Sequence, residues 1–292
     1  MLHAVVGLVL VIALALPAQA QERKPGPLTQ PSGPYREQEF FIAWERQGKR
    51  WLSHAKIYRP EGEQKRPLIV LAHGSPRSEH DRPKSVPGWA DPQARWFAAQ
   101  GFVVVAPLRR GYGKSDGPWS EGYKSCNDAD FWNAGLSTAN EIQGILAQMA
   151  KEPYVDATRV VVVGQSAGGW GALGIASRNP TGIVGVINFA GGRGNTSPGT
   201  TCSPNRLIEA AGRYGSSAKV PALWVYTTND KFFTEDLQRN LLRAYTSGGA
   251  PADYKNVGAF GADGHGLFAD PSSMGRWTPL ATDFLRKLEL MR

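Results

Sequence analysis

Val160-Val161-Val162-Val163-Gly164-Gln165-Ser166-Ala167-Gly168-Gly169 is the stretch whose reading decides the fold. Four consecutive valines suit a strand buried on both faces, as in a parallel sheet covered by helices. Gly-x-Ser-x-Gly follows at 164–168, and a helix-compatible run, Ala167–Arg178, comes directly after. A strand, a glycine-bounded turn and a helix together lift a serine hydroxyl above the sheet edge. They also place the next N–H at the helix start, where an oxyanion can be held. Ser166 is therefore the candidate nucleophile and the N–H of Ala167 a candidate oxyanion donor. The same expression matches Gly113-Lys114-Ser115-Asp116-Gly117, but that match lies several residues past its strand and runs into Pro118-Trp119 with no helix to open, so Ser115 reads as a turn residue.

On either side of this stretch the pattern repeats. Short runs rich in Val and Ile recur at Leu68–Ala72, Phe102–Ala106, Ile183–Phe189 and Ala222–Tyr226, with a last strand near Tyr254–Val257. Helical candidates alternate with them at Pro92–Gln100, Asp128–Lys151 and Thr234–Thr246, and Met274–Met291 closes the chain. Ahead of them, period-two segments Glu39–Arg46 and Trp51–Arg59 flank Gln47-Gly48-Lys49 and predict an antiparallel hairpin. The expected architecture is α/β: a mostly parallel central sheet with helices on both faces and an N-terminal antiparallel hairpin. No second alternating unit exists, so residues 35–292 read as one domain. Within it, Gly191–Lys219 is a long Gly/Ser/Thr/Pro-rich loop insertion in which only Arg206–Ala211 suits a short helix.

A serine hydroxyl needs a base, and chemistry in such sheets gathers at the carboxyl edge. Of five histidines only His265, in Gly264-His265-Gly266, follows Ser166 in the chain, as the order Ser, acid, His requires. Asp230, just beyond strand Ala222–Tyr226, is the acid best placed to orient it. Asp236 should lie in a helix, Asp253 at the wrong end of a strand, and Asp263 too close in sequence to reach His265 from behind. In Leu71-Ala72-His73-Gly74-Ser75-Pro76 the proline has no N–H, so the N–H of Ser75 is the second oxyanion candidate and His73 reads as a residue holding the loop. Trp119, Trp132, Trp170 and Phe232 are candidates for lining a pocket, with core packing the alternative for each.

At the N-terminus, apolar Ala4–Leu16 ends at Pro17 and is followed by Ala18-Gln19-Ala20, the pattern of a cleaved export signal over residues 1–20, although only the α-amino group charges its start. Residues 21–34, with six Gly and Pro, read as a flexible leader. The expected location is secreted or periplasmic, with no stable membrane insertion. In that setting the two cysteines, Cys126 and Cys202, are expected to form one disulfide, the alternative being two buried thiols.

These residues bear a resemblance. His73-Gly74, Arg110-Gly111-Tyr112-Gly113, Gly164-Gln165-Ser166-Ala167-Gly168, Asp230 and His265 resemble, in order and strand position, the motifs of the α/β-hydrolase family. The chain is similar within it to the dienelactone-hydrolase-like branch and to prolyl-oligopeptidase-type catalytic domains. It departs from true dienelactone hydrolases in carrying serine where those enzymes carry cysteine. The resemblance implies acyl transfer to water through an acyl-enzyme, with no metal or organic cofactor. An exported serine hydrolase of carboxylic esters is the leading expectation and a serine peptidase or amidase acting on short peptides the alternative. A non-catalytic hydrolase-like binding protein is disfavoured because every position of the Ser166, Asp230, His265 set is filled.

Competing chemistries fit less well. A phosphate loop at Gly113-Lys114-Ser115 would need a leading glycine where Leu108 stands, and the dinucleotide-like pattern Gly169–Gly174 falls inside a helix. Two distant cysteines make no Cys-rich zinc site. No element interleaves basic and aromatic residues as a nucleic-acid module would. Composition agrees with a packed enzyme-sized domain: 292 residues, 41% hydrophobic and 20% charged. The 33 Lys+Arg against 25 Asp+Glu leave +8. Half of that excess falls on five loops leaving the Ser166 edge, at His73–Gly88, Pro107–Ser125, Gly191–Lys219, Thr227–Phe233 and Ala259–Asp270. A basic rim of this kind suits a small anionic ester or peptide, or an anionic envelope surface.

Overall fold

The computed structural model describes residues 23–292; the expected export signal, residues 1–20, and the first two leader residues lie outside the described residues. The elements begin with β1 (Gly26–Pro27), β2 (Gln38–Arg46) and β3 (Lys49–Tyr58). Next come β4 (Arg66–Ala72), α1 (Asp91–Ala99), β5 (Val103–Pro107), α2 (Phe131–Met149), β6 (Val155–Gln165), α3 (Ala167–Ala176) and β7 (Ile183–Phe189). A small hairpin, β8 (Asn195–Ser197) and β9 (Thr200–Thr201), leads to α4 (Pro204–Gly215), and β10 (Ala222–Tyr226), α5 (Glu235–Ser247), β11 (Ala252–Asn256) and α6 (Met274–Lys287) complete the fold.

Among the described residues nine strands form one sheet in the order β1-β2-β3-β5-β4-β6-β7-β10-β11. The six from β5 to β11 in that order are mutually parallel, while β1, β2 and β3 form the antiparallel entry. The β2–β3 hairpin closes through Gln47 and Gly48, both at positive φ (52° and 71°), the two-residue turn whose twist matches its strands. Residues 26–32, within the stretch read as a leader, run beside β2, with Leu28 N–H donating to Glu39 O at 2.7 Å.

Side-chain alternation along the central strands builds two cores. Val160 and Val162 face α2, α3, α4 and α5 together with Leu68, Val70, Val186 and Trp224. Val161 and Val163 face α1 and α6 with Ile69, Leu71, Ile187 and Trp277. Every one of these strand residues is buried, which is why four valines in a row occur here. From central β4 the chain crosses through α1 to β5 on one side and then through α2 to β6 on the other. The carboxyl ends of β4 and β6 therefore open onto the crevice where connections diverge, the position at which such sheets bind ligands.

Two elements differ from expectation. Helix α4 runs 12 residues rather than six, because Pro204 starts it and Leu207, Ala210, Ala211 and Tyr214 make one buried stripe through the polar loop. Strand β6 starts at Val155, its pairing with β7 shifting register between Val160 and Val161, so its polar first half was invisible to an apolar-run reading. Among the described residues no helix is long and apolar enough to cross a membrane.

Candidate active site

Strand β6 ends and α3 begins at Ser166, whose backbone sits at φ 55°, ψ −118°. A serine in that region is strained, and packing must hold it there. Its N–H donates to Phe189 O at 2.9 Å, and its carbonyl accepts from Trp170 N at 2.9 Å, the first bond of α3. The turn is tight enough to require glycine at Gly168, where a Cβ would lie 1.9 Å from Ala72 O on neighbouring β4. At Gly164 a Cβ would lie 2.3 Å from Gly168 O. The serine side chain is half-buried and lines the surface clefts at the sheet edge.

His265 lies in a single 3₁₀ turn, Gly264–Gly266, after β11. Its Nδ1 is 3.1 Å from both carboxylate oxygens of Asp230, which follows β10. A carboxylate only accepts, so Nδ1 carries the proton and Nε2 is left with a lone pair. Asp230 is buried and also accepts from Phe232 N (2.7 Å) and Phe233 N (3.0 Å), which fixes the carboxylate independently of the histidine. The imidazole stacks on Phe232, ring centroids 4.0 Å apart. Asp263, weighed and set aside as the orienting acid, turns out to brace the turn instead, accepting from His265 N at 3.1 Å and Lys231 N at 3.0 Å. Gln165 Nε2 donates to His265 O at 3.1 Å, tying the histidine turn to the residue before Ser166. Ser166 Oγ makes no hydrogen bond among the described residues; contacts of this kind often tighten only with substrate bound.

Opposite Ser166 is the loop after β4. Neither Ser75 N–H nor Ala167 N–H has a protein acceptor among the described residues, and both residues line the same cleft as Ser166. His73 secures this loop: Nδ1 is 2.6 Å from Gly74 O, and Nε2 accepts from Arg109 N at 3.1 Å. Burial, reinforced by the Arg109 charge, pushes its pKa down to about 3, so it is a neutral fixture. Arg109 itself donates to His73 O at 2.7 Å and pairs with Glu121, which also pairs with Arg193. Burial alone would raise the Glu121 pKa, but the two guanidinium groups outweigh it and hold it at about 2. This buried Arg109–Glu121–Arg193 group escaped sequence reading, with 72 residues separating Glu121 from Arg193; the only local signal was the Arg-rich start of Arg109–Gly113.

Two lobes meet at Ser75, Pro76 and Ser166. One, of about 150 Å³, is walled by Arg77, Arg82, Trp119, Tyr123, Arg193 and Phe232. The other, of about 350 Å³, runs past His73, Val86, Trp89 and Leu108. Of the four aromatic candidates, Trp119 and Phe232 line the first lobe. Trp170 is instead fully buried, its Nε1 donating to Phe131 O at 2.8 Å, and Trp132 borders a separate cleft with Arg206 and Arg213. Ser115 Oγ donates to Leu108 O (2.8 Å) and accepts from His54 N (3.0 Å), stitching its loop to β3. Cys126 and Cys202 are bonded, with S–S 2.08 Å, joining the segment before α2 to the turn between β9 and α4 beside the first lobe.

A family model described as "Alpha/beta hydrolase family" matches residues 69–288. Dipeptidyl-peptidase 5 of Porphyromonas gingivalis is 30% identical over 131 residues, which are 44% of this chain and 17% of that protein, so the match spans under a fifth of the relative. A structure from Klebsiella pneumoniae classed as a dienelactone hydrolase superposes with TM-score 0.58 at 16% identity, covering 87% of this chain and 98% of that one. Acetyl xylan esterase 1 from a Thermoanaerobacterium species gives 0.58 at 17%, covering 91% and 87%. At such identities the structural likenesses speak for the fold.

Proposed function

The chain belongs to the alpha/beta hydrolase family, and from that premise we propose that it is an exported serine hydrolase cleaving carboxylic esters through an acyl-enzyme. The observation that carries this reading is the Asp230 carboxylate on His265 Nδ1 at 3.1 Å, at the same sheet edge as Ser166 in its strained turn. As Ser166 Oγ attacks the ester carbonyl carbon, His265 Nε2 takes its proton. Asp230 stabilises the imidazolium, and the N–H groups of Ala167 and Ser75 receive the oxyanion. The N-terminus of α3 adds its positive end to that hole. Collapse breaks the C–O bond to the leaving group, which takes the proton from Nε2–H and departs as an alcohol. Water then attacks the acyl-serine with His265 again as base, releasing the acid and restoring Ser166. Export is supported by the Ala4–Leu16 stretch with its Ala18-Gln19-Ala20 site and by the Cys126–Cys202 bond, which persists in oxidising compartments.

A peptidase reading is favoured by one observation, the 30% identity to a dipeptidyl-peptidase. The ester reading leads because an ester lacks the resonance that stabilises an amide, and its alkoxide leaves more readily than an amide anion. Turnover of short p-nitrophenyl esters against aminoacyl p-nitroanilides separates the two. Esters should be hydrolysed with the higher kcat/KM, and Ser166→Ala should lower ester turnover by about 10⁴-fold or more. Faster anilide turnover would select the peptidase, and a Ser166→Ala variant as active as the parent would remove Ser166 from the chemistry.

A further inference from the structure

We infer that Arg77 and Arg82 form a carboxylate clamp at the Ser166 cleft, so that the preferred ester carries a free carboxylate on its acyl chain. This rests on the ester-hydrolase reading above and names its substrate class. Both arginines line the lobe that contains Ser166 and Ala167, and among the described residues no Asp or Glu lines it. The third arginine there, Arg193, is taken by Glu121. Neither Arg77 nor Arg82 has a carboxylate within pairing distance among the described residues; nearby Asp81 pairs with Lys84 at 2.7 Å and Asp116 with Arg23.

Both side chains are nevertheless held. The Arg82 guanidinium lies 3.8 Å from the Trp119 ring centroid and that of Arg77 4.3 Å from Phe232, the ring that also stacks on His265. Stacking occupies the flat faces of a guanidinium and leaves its in-plane N–H fork free, the geometry that takes a carboxylate in two hydrogen bonds. Arg82 is half-buried, its Nε is buried without an acceptor, and its backbone is pinned by Gly113 N donating to its carbonyl at 2.9 Å. Two rigidly stacked cations lacking counter-charge, in a cleft with the candidate nucleophile, attract an anion and orient it.

The test compares kcat/KM for p-nitrophenyl hemiadipate and p-nitrophenyl hexanoate, which share a six-carbon acyl chain and differ at its end, carboxylate against methyl. The parent should prefer the hemiadipate. Exposed Arg77 should contribute modestly, so Arg77→Gln should lower the anionic-to-neutral ratio about threefold; Arg82→Gln, half-buried and pre-oriented, should lower it about tenfold. Arg82→Lys, which keeps charge but loses the fork, should restore only part of the ratio. An unchanged ratio in the double variant overturns the clamp, as does an equal fall for both esters. If neither ester is turned over and a fluorophosphonate leaves Ser166 unmodified, it is the hydrolase reading that fails. The clamp is then decided by calorimetric binding of adipanilic acid: tighter binding to parent than to the double variant sustains it, and equal binding overturns it.

Discussion

Ser166 holds a backbone conformation that costs a non-glycine residue about 1–3 kcal/mol, and bonds to Phe189, Trp170 and Gly192 keep it there. Such strain is tolerated where a side chain must be presented, and the glycines at 164 and 168 that permit it were visible in the sequence. The triad candidates were legible for the same kind of reason: chain order and strand ends left one histidine and one well-placed acid. His73 shows what was not. Its neutrality depends on burial against Arg109, a contact across 36 residues. Because its folded pKa is about 3 against an ordinary 6.5, the unfolded chain binds a proton that the folded one refuses. Stability linked to His73 is therefore complete above about pH 6.5 and lost as pH falls toward 3, at up to about 1.4 kcal/mol per pH unit. Urea unfolding of His73→Asn should show a shallower loss of stability than the parent between about pH 6 and pH 4.5; parallel acid limbs would contradict the neutral-fixture role.

Among the elements, the buried strands were readable because covered strands are uniformly apolar, while α4 and the first half of β6 were not. In α4 an amphipathic stripe is hidden in polar composition, and in β6 Asp156, Thr158 and Arg159 interrupt the run. The bracing role of Asp263 was not legible, because it depends on a short turn that lets the carboxylate reach the backbone N–H of His265 rather than its ring. The start of α4 is tied to the segment before α2 by Cys126–Cys202, closing a 76-residue separation. In the chain-entropy model such a cross-link contributes about 4 kcal/mol, acting on the unfolded chain. Calorimetric melts with and without reductant should therefore differ, with the reduced protein unfolding several degrees lower. Superimposable melts, with mass spectrometry verifying reduction, would show that the bridge contributes nothing to stability.

Over the whole molecule, the +8 charge is resolved by its pairing. Counting residues put half the excess on loops at the Ser166 edge, but a count cannot separate a paired charge from a free one. The structure does: Arg109 and Arg193 are consumed by Glu121, and Arg110 by Glu141, whereas Arg77 and Arg82 stand over aromatic rings with no acid partner among the described residues. The fold brings these charges, the strained serine and the Asp230–His265 pair to one edge from segments nearly 190 residues apart in the chain. Ser166 is proposed as the activated nucleophile of this assembly. Reacting the intact protein with a fluorophosphonate and mapping the adduct by peptide mass spectrometry tests it directly: a single adduct on Ser166, absent from Ser166→Ala and strongly slowed in His265→Ala, is predicted. An unmodified Ser166, or labelling that persists in Ser166→Ala, would contradict it.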